Sequence, residues 1–168
     1  MSSLRARRST DSGTRLVLRS GARLRLAAHA LRGYPHEVVG LLLGSAARAE
    51  VSAEVWEARP LENEQEQDPA RRFVVSGLRL ARAEAAAEGE GFDVLGYYHS
   101  HPDHPASWSD EDRDQALPGR SYLIASVSGV VGAPTLEALR CWRLAEDRSE
   151  MLEERLDSGP EAVQTQSS

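Results

Sequence analysis

Hydrophobic and polar positions along this 168-residue chain change rhythm several times, and each rhythm predicts an element. Thr14–Ser20 (TRLVLRS) alternates and predicts a first strand. Ala22–Pro35 is rich in helix formers, with Leu24, Leu26, Ala27, Ala30 and Leu31 on one helical face; Gly33 and Pro35 stop it. Glu37–Gly44 (EVVGLLLG) is a nearly unbroken apolar run bounded by proline and glycine, which predicts a buried strand. Ala49–Asn63 sets Val51, Ala53 and Val55 against polar neighbours and predicts another. Glu64–Arg72 reads as a polar loop and Phe73–Ser76 as a brief extended piece. Ser76–Gly91 predicts a helix, with Ser76 as N-cap and glycines at its C-terminal end.

Phe92–His101 predicts a buried strand. Ser109–Leu117 predicts a short helix with Ser109 as N-cap and acids in its first turn. Ser121–Gly129 and Thr135–Glu146 predict two more strands, while Glu150–Asp157 fits either a strand or a helix. The elements give a mixed α/β class without a topology. The expected organisation is a flexible tail over 1–13, a single domain over 14–157 and a flexible tail over 158–168.

Composition narrows the function. The net charge of −6 argues against nucleic-acid binding, which needs a basic face. The single cysteine, Cys141, excludes an intrachain disulfide and any paired-cysteine zinc site, and its strand context predicts a buried structural thiol. The basic N-terminus lacks the apolar stretch of a secretory signal, and no apolar run reaches the ~20 residues of a membrane helix, so a cytoplasmic protein without membrane contact is expected. All 20 basic residues other than histidine are arginine. Base composition of the genome accounts for that; a second reading is an enzyme that its own substrates cannot modify on lysine.

The chemistry concentrates in GYYHSHPDHPASWSDEDRD, Gly96–Asp114, which holds three of the five histidines. His99 and His101 stand two apart at a strand end, so both imidazoles project from one face, a workable bite for a metal ion. Paired imidazoles suit zinc, with copper, nickel and iron as competitors. A catalytic zinc takes three protein ligands and keeps one position open. Asp103, His104, Asp110, Glu111, Asp112 and Asp114 are candidates for the third ligand. If Ser109 opens a helix, Asp112 lies on the side of the cap and is best placed to face the strand end.

These residues resemble the JAMM (MPN-plus, Mov34-type) metallopeptidases, whose pattern is His-x-His-Pro, a short spacer and Ser-x-x-Asp. Here it runs His99, His101, Pro102, Ser109, Asp112. The family's upstream Glu-x-x-Gly-x-Leu-x-Gly strand is matched by EVVGLLLG, starting at Glu37. The resemblance spans roughly Leu16–Leu156 and implies a single JAMM/MPN-like domain, a mixed β-sheet flanked by helices in a cytidine-deaminase-like layout. It implies that His99, His101 and Asp112 ligate one zinc ion per chain and leave its fourth position to water. Glu37 is then general base and acid, and Ser109 offers its hydroxyl to the developing oxyanion. A carboxylate beside so apolar a run is costly without a polar task, which supports the role of Glu37 independently. Trp108 either lines a substrate groove or covers the metal, and Asn63 is a polar residue expected near the site.

Family members cut peptide or isopeptide bonds, most often after the C-terminal Gly-Gly of ubiquitin or a ubiquitin-like protein. The compact chain is most similar to small stand-alone prokaryotic members, some of which trim sulfur-carrier proteins. The implied substrate is a ubiquitin-like or sulfur-carrier protein or its conjugates, with the tail pairing along an exposed strand edge. The competing reading is a non-catalytic MPN-type scaffold or binding module; a zinc deaminase is excluded because it needs a second cysteine. The sequence leaves the carrier, the leaving group and the oligomeric state open.

Overall fold

The structure is a computed structural model and describes residues 11–64 and 75–160. Seven strands and three helices are present: β1 (Asp11–Leu18), α1 (Ser20–Gly33), β2 (Val39–Ser45), β3 (Ala53–Leu61), α2 (Gly77–Gly89), β4 (Asp93–Pro102), α3 (Asp110–Gln115), β5 (Ser121–Val130), β6 (Ala133–Leu144) and β7 (Met151–Ser158). The first strand begins at Asp11, three residues before the alternation predicts, because Asp11 pairs in parallel with Glu153 of β7. Glu150–Asp157 resolves as strand, since β7 must pair with both β6 and β1. The polar loop Glu64–Arg72 and the extended piece Phe73–Ser76 fall largely outside the described residues.

The strands form a closed barrel in the order β1-β3-β2-β4-β5-β6-β7, with β7 returning to β1. Three pairings are parallel (β1 with β3, β1 with β7, β4 with β5) and the others antiparallel. The mixed sheet is as expected, but it curls shut. Every strand has a neighbour on each side, but β6 meets β7 only over Cys141–Leu144, so Ala133–Arg140 keep an edge without a strand partner on that side. Because β4 and β5 are parallel, the chain must cross from the end of one to the start of the other, and residues 103–120 make that crossing.

The continuous apolar run of β2 reflects burial on both faces. Leu42 faces the main core with Leu16, Leu26, Val55, Tyr98 and Leu123, while Leu41 and Leu43 meet Ala87 of α2 and Val94 on the other side. Helix α1 packs Ala22, Leu26 and Ala30 into the main core. Leu24 does not share that face: it is 71% exposed, two residues before Leu26 and so rotated away from it. Cys141 is buried in β6 as expected, and burial raises its thiol pKa, so it is inert at neutral pH. A further apolar cluster of Ile124, Trp142, Leu144 and Met151 takes in Ala106, Ala116 and Trp108, and so supports the crossing segment and α3. Among the described residues, no helix is long and apolar enough to cross a membrane.

Gly40 has a definite reason to lack a side chain. A Cβ there would stand 2.3 Å from the Tyr98 ring and 2.5 Å from the Arg59 carbonyl oxygen. The fully buried Tyr98 ring therefore occupies the space above Gly40. Gly40→Ala is expected to destabilise the fold by about 1–3 kcal/mol through this overlap. A urea midpoint equal to that of the unsubstituted protein would contradict the packing described.

Candidate metal centre

On β4 the side chains alternate. Tyr98 enters the main core, Ser100 turns toward the start of β2, and His99 and His101 project together from the opposite face. Their Nε2 atoms lie 3.0 Å apart. The Nδ1 of His101 is 2.8 Å from the Pro105 carbonyl oxygen, which can only accept, so Nδ1 carries the proton and Nε2 keeps its lone pair for the cluster. His99 is 4% exposed, and burial pushes its pKa down to about 4 against an opposing pull from Asp112 and with a smaller push from His101. A neutral imidazole is the form that ligates a metal.

The third member arrives on α3. Asp112 Oδ1 lies 3.3 Å from His99 Nε2, and Oδ2 lies 3.8 Å from His101 Nε2. A reciprocal capping box fixes this carboxylate: the Asp112 amide donates to Ser109 Oγ at 3.1 Å, and the Ser109 amide donates to Asp112 Oδ2 at 2.7 Å. The Ser109 hydroxyl also donates to Oδ2, at 2.8 Å. The Ser-x-x-Asp spacing is thus first a helix start, and that start aims the carboxylate at the two imidazoles. One ligand atom from each of His99, His101 and Asp112 falls within 4.8 Å of the others, and no further such group of histidine, cysteine or acidic residues occurs among the described residues.

Glu37 precedes β2 and is 9% exposed. Two contacts fix its backbone. Asn63, just past the end of β3, donates from Nδ2 to the Glu37 carbonyl at 3.0 Å. Ser100, between the two histidines, accepts the Val38 amide on its hydroxyl at 2.9 Å, while its own amide donates to the Val38 carbonyl at 3.0 Å. Antiparallel pairing then sets Val39 opposite His99. Glu37 lines a polar cleft of about 520 Å³ together with His101, Asp112 and Ser109. On the other side of Asp112 an apolar cleft of about 330 Å³ runs past Val39, Leu61, Leu80, Tyr97 and Leu117.

The structure therefore brings together every residue singled out for chemistry: Glu37, His99, His101, Ser109 and Asp112. Of the open candidates for third ligand, Asp112 alone joins the imidazoles. Asp103 accepts from the Tyr34 hydroxyl, Asp110 and Asp114 pair with Arg113, and His104 and Glu111 line the polar cleft. Trp108 lines the polar cleft and packs against the apolar cluster beneath the crossing segment. Sequence reasoning missed Ser100 as the link to Val38, Pro105 as the acceptor that orients His101, and the apolar cleft. The serine between the histidines was a readable signal, because its side chain must point opposite to theirs; the cleft had none, since its residues come from many separate elements and connections.

The lowered pKa of His99 has a consequence for the metal-free protein. Unfolded, this histidine titrates near 6.5; folded, near 4, so between those values the unfolded chain binds the extra proton. Stability is present above about pH 6.5 and is expected to fall as pH drops toward 4. Chelator-treated protein unfolded in urea across this range should show the slope, and His99→Gln should flatten it; a slope unchanged by that substitution would refute the assignment.

Comparison with known proteins accords with this geometry. The family described as prokaryotic homologs of the JAB domain matches residues 19–145. The chain is 33% identical over 123 residues to a protein of Haloferax volcanii named desampylase, covering 70% of this chain and 85% of that one. It is 38% identical over 103 residues to a protein of Thermus thermophilus named probable TtuB-protein conjugate cleaving protease, covering 61% and 64%. A solution structure of a protein from Desulfitobacterium hafniense superposes with a TM-score of 0.68 at 28% identity, covering 88% of this chain and 95% of that one. With its domain matched over residues 19–145 and the histidine pair, Asp112 and Glu37 gathered at one centre, this chain belongs to the prokaryotic JAB family.

Proposed function

We propose that this protein is a zinc-dependent JAMM-type peptidase that hydrolyses the peptide or isopeptide bond following the C-terminal Gly-Gly of a ubiquitin-like sulfur-carrier protein. The carrying observation is the gathering of two imidazole nitrogens and one carboxylate oxygen within 4.8 Å, with Glu37 in the adjoining cleft. The names of the two relatives, a desampylase and a TtuB-conjugate protease, supply the substrate class. The reading takes 14–157 as the catalytic domain, one zinc per chain, a cytoplasmic setting and the cytidine-deaminase-like layout of ligands on a strand end and the helix after it.

The donor set suits zinc: two neutral imidazoles and one carboxylate are the ligand types of a catalytic site with one open position. When bound there, zinc supplies Lewis-acid polarisation of the scissile carbonyl and an activated water at neutral pH. Glu37 takes the proton from the attacking water and delivers it to the leaving amine. Asn63 and Ser100 both bond the peptide group that follows Glu37, which limits how far the base of that carboxylate can move. Ser109 serves the developing oxyanion by rotating its hydroxyl away from Asp112 Oδ2, where it now donates. Because Glu37 lines the polar cleft, the leaving amine lies there, and the carrier tail approaches across the apolar cleft.

Purified protein should hold one zinc by elemental analysis and cut a conjugate joined through Gly-Gly. Glu37→Gln should keep the metal and lose about 10²–10⁴-fold in rate, the size of a general acid–base contribution. His101→Ala should lose metal and activity together. A metal-free protein without cleavage would instead support the MPN-type scaffold, and cleavage indifferent to Glu37→Gln would overturn the role given to Glu37. The narrow approach also predicts that replacing either tail glycine with a bulky residue abolishes cleavage; an unchanged rate would sink that part of the reading.

A further inference from the structure

Two clefts meet at the metal centre, and they share only Asp112 and Gln115 among their described lining residues. Both sit on α3, three positions apart and hence on neighbouring points of one helical face. Asp112 faces the imidazoles. Gln115 stands beside it and lines both clefts.

A Gly-Gly tail has no side chains, so its polar handles are peptide groups alone. The apolar cleft contributes few open polar atoms. The Tyr97 hydroxyl donates to Glu84, the Tyr122 hydroxyl accepts the Leu117 amide, and His99 and Asp112 belong to the metal cluster. Gln115 is exposed, and its one hydrogen bond among the described residues is a long 3.4 Å contact from Nε2 to Glu111. Its carboxamide has an acceptor oxygen and two donor hydrogens, the complement of a peptide N–H and C=O.

We propose that Gln115 is a substrate-binding residue that hydrogen-bonds the peptide group between the two tail glycines, aligning the scissile carbonyl with the His99–His101–Asp112 centre. This inference rests on the Gly-Gly peptidase reading. It assigns part of the recognition of the tail's backbone to a side chain.

The test uses a tail peptide joined through Gly-Gly to the lysine of a fluorescent peptide, and the same compound methylated on the amide between the glycines. Gln115→Ala is expected to lower kcat/KM about tenfold, chiefly through KM, as for the loss of one or two hydrogen bonds. Gln115→Met, which keeps length and helix propensity without the amide, should behave alike, with zinc content and thermal midpoint unchanged in both. Methylation should slow the unsubstituted enzyme and add little in either variant. A kcat/KM within twofold of the unsubstituted enzyme, or an undiminished methylation penalty in the variants, overturns the proposal. Absence of cleavage by the unsubstituted enzyme would instead count against the peptidase reading. A peptide ending in Gly-Gly, titrated into zinc-loaded Glu37→Gln with and without Gln115→Met, then tests Gln115 by binding alone. Equal dissociation constants, or no binding to either, overturn it.

Discussion

Everything at the centre depends on the antiparallel contact between β2 and β4. Glu37 and the two histidines lie more than sixty residues apart in sequence, and the pairing of Val39 with His99 brings them to one place. Ser100 makes that pairing specific at its open end, bonding both backbone groups of Val38. A slip of one residue would turn both histidines into the core and Tyr98 out of it. The packing of Tyr98 over Gly40 opposes such a slip, since that register sets the ring above a residue without a side chain. Core packing and site geometry are therefore one constraint seen from two faces of a strand.

The third member of the cluster is held by a different logic. Asp112 comes from a helix of six residues, too short to be held by its own hydrogen bonds. Its capping box and the apolar cluster under Ala106, Ala116 and Trp108 fix it instead. The capping box orients the carboxylate, as the Pro105 carbonyl orients the His101 ring. Such orientation by neighbouring groups raises metal affinity because little freedom is left to lose on binding.

Much of this was legible in the chain. Periodicity found the elements that carry the site, and period two on β4 placed His99 and His101 on one face. The unbroken apolar run of EVVGLLLG announced burial on both sides of β2. Local patterns did not reveal closure of the barrel, because β1 meets β7 across nearly the whole length of the chain and no nearby residue encodes that meeting. Leu24 was misplaced for a related reason: a helix built largely of alanine, leucine and arginine offers several apolar faces, and only the surrounding strands select one. The contacts of Asn63 with Glu37 and of Pro105 with His101 are likewise tertiary, made by residues whose types alone suit many other tasks.

The parallel pairing of β4 with β5 has an effect on how such a protein can change. Parallel neighbours cannot be joined by a tight turn, so the barrel must carry an excursion over residues 103–120 whatever its function. That obligatory length holds Trp108, Ser109, Asp112 and Gln115. The candidate site therefore draws on a segment the topology already required, whose ends are clamped by strands and whose exposed positions between the fixed capping box and the strands can vary. Descendants of this scaffold can alter what they grip by editing the excursion, while the imidazole pair and Glu37 stay anchored in the barrel wall.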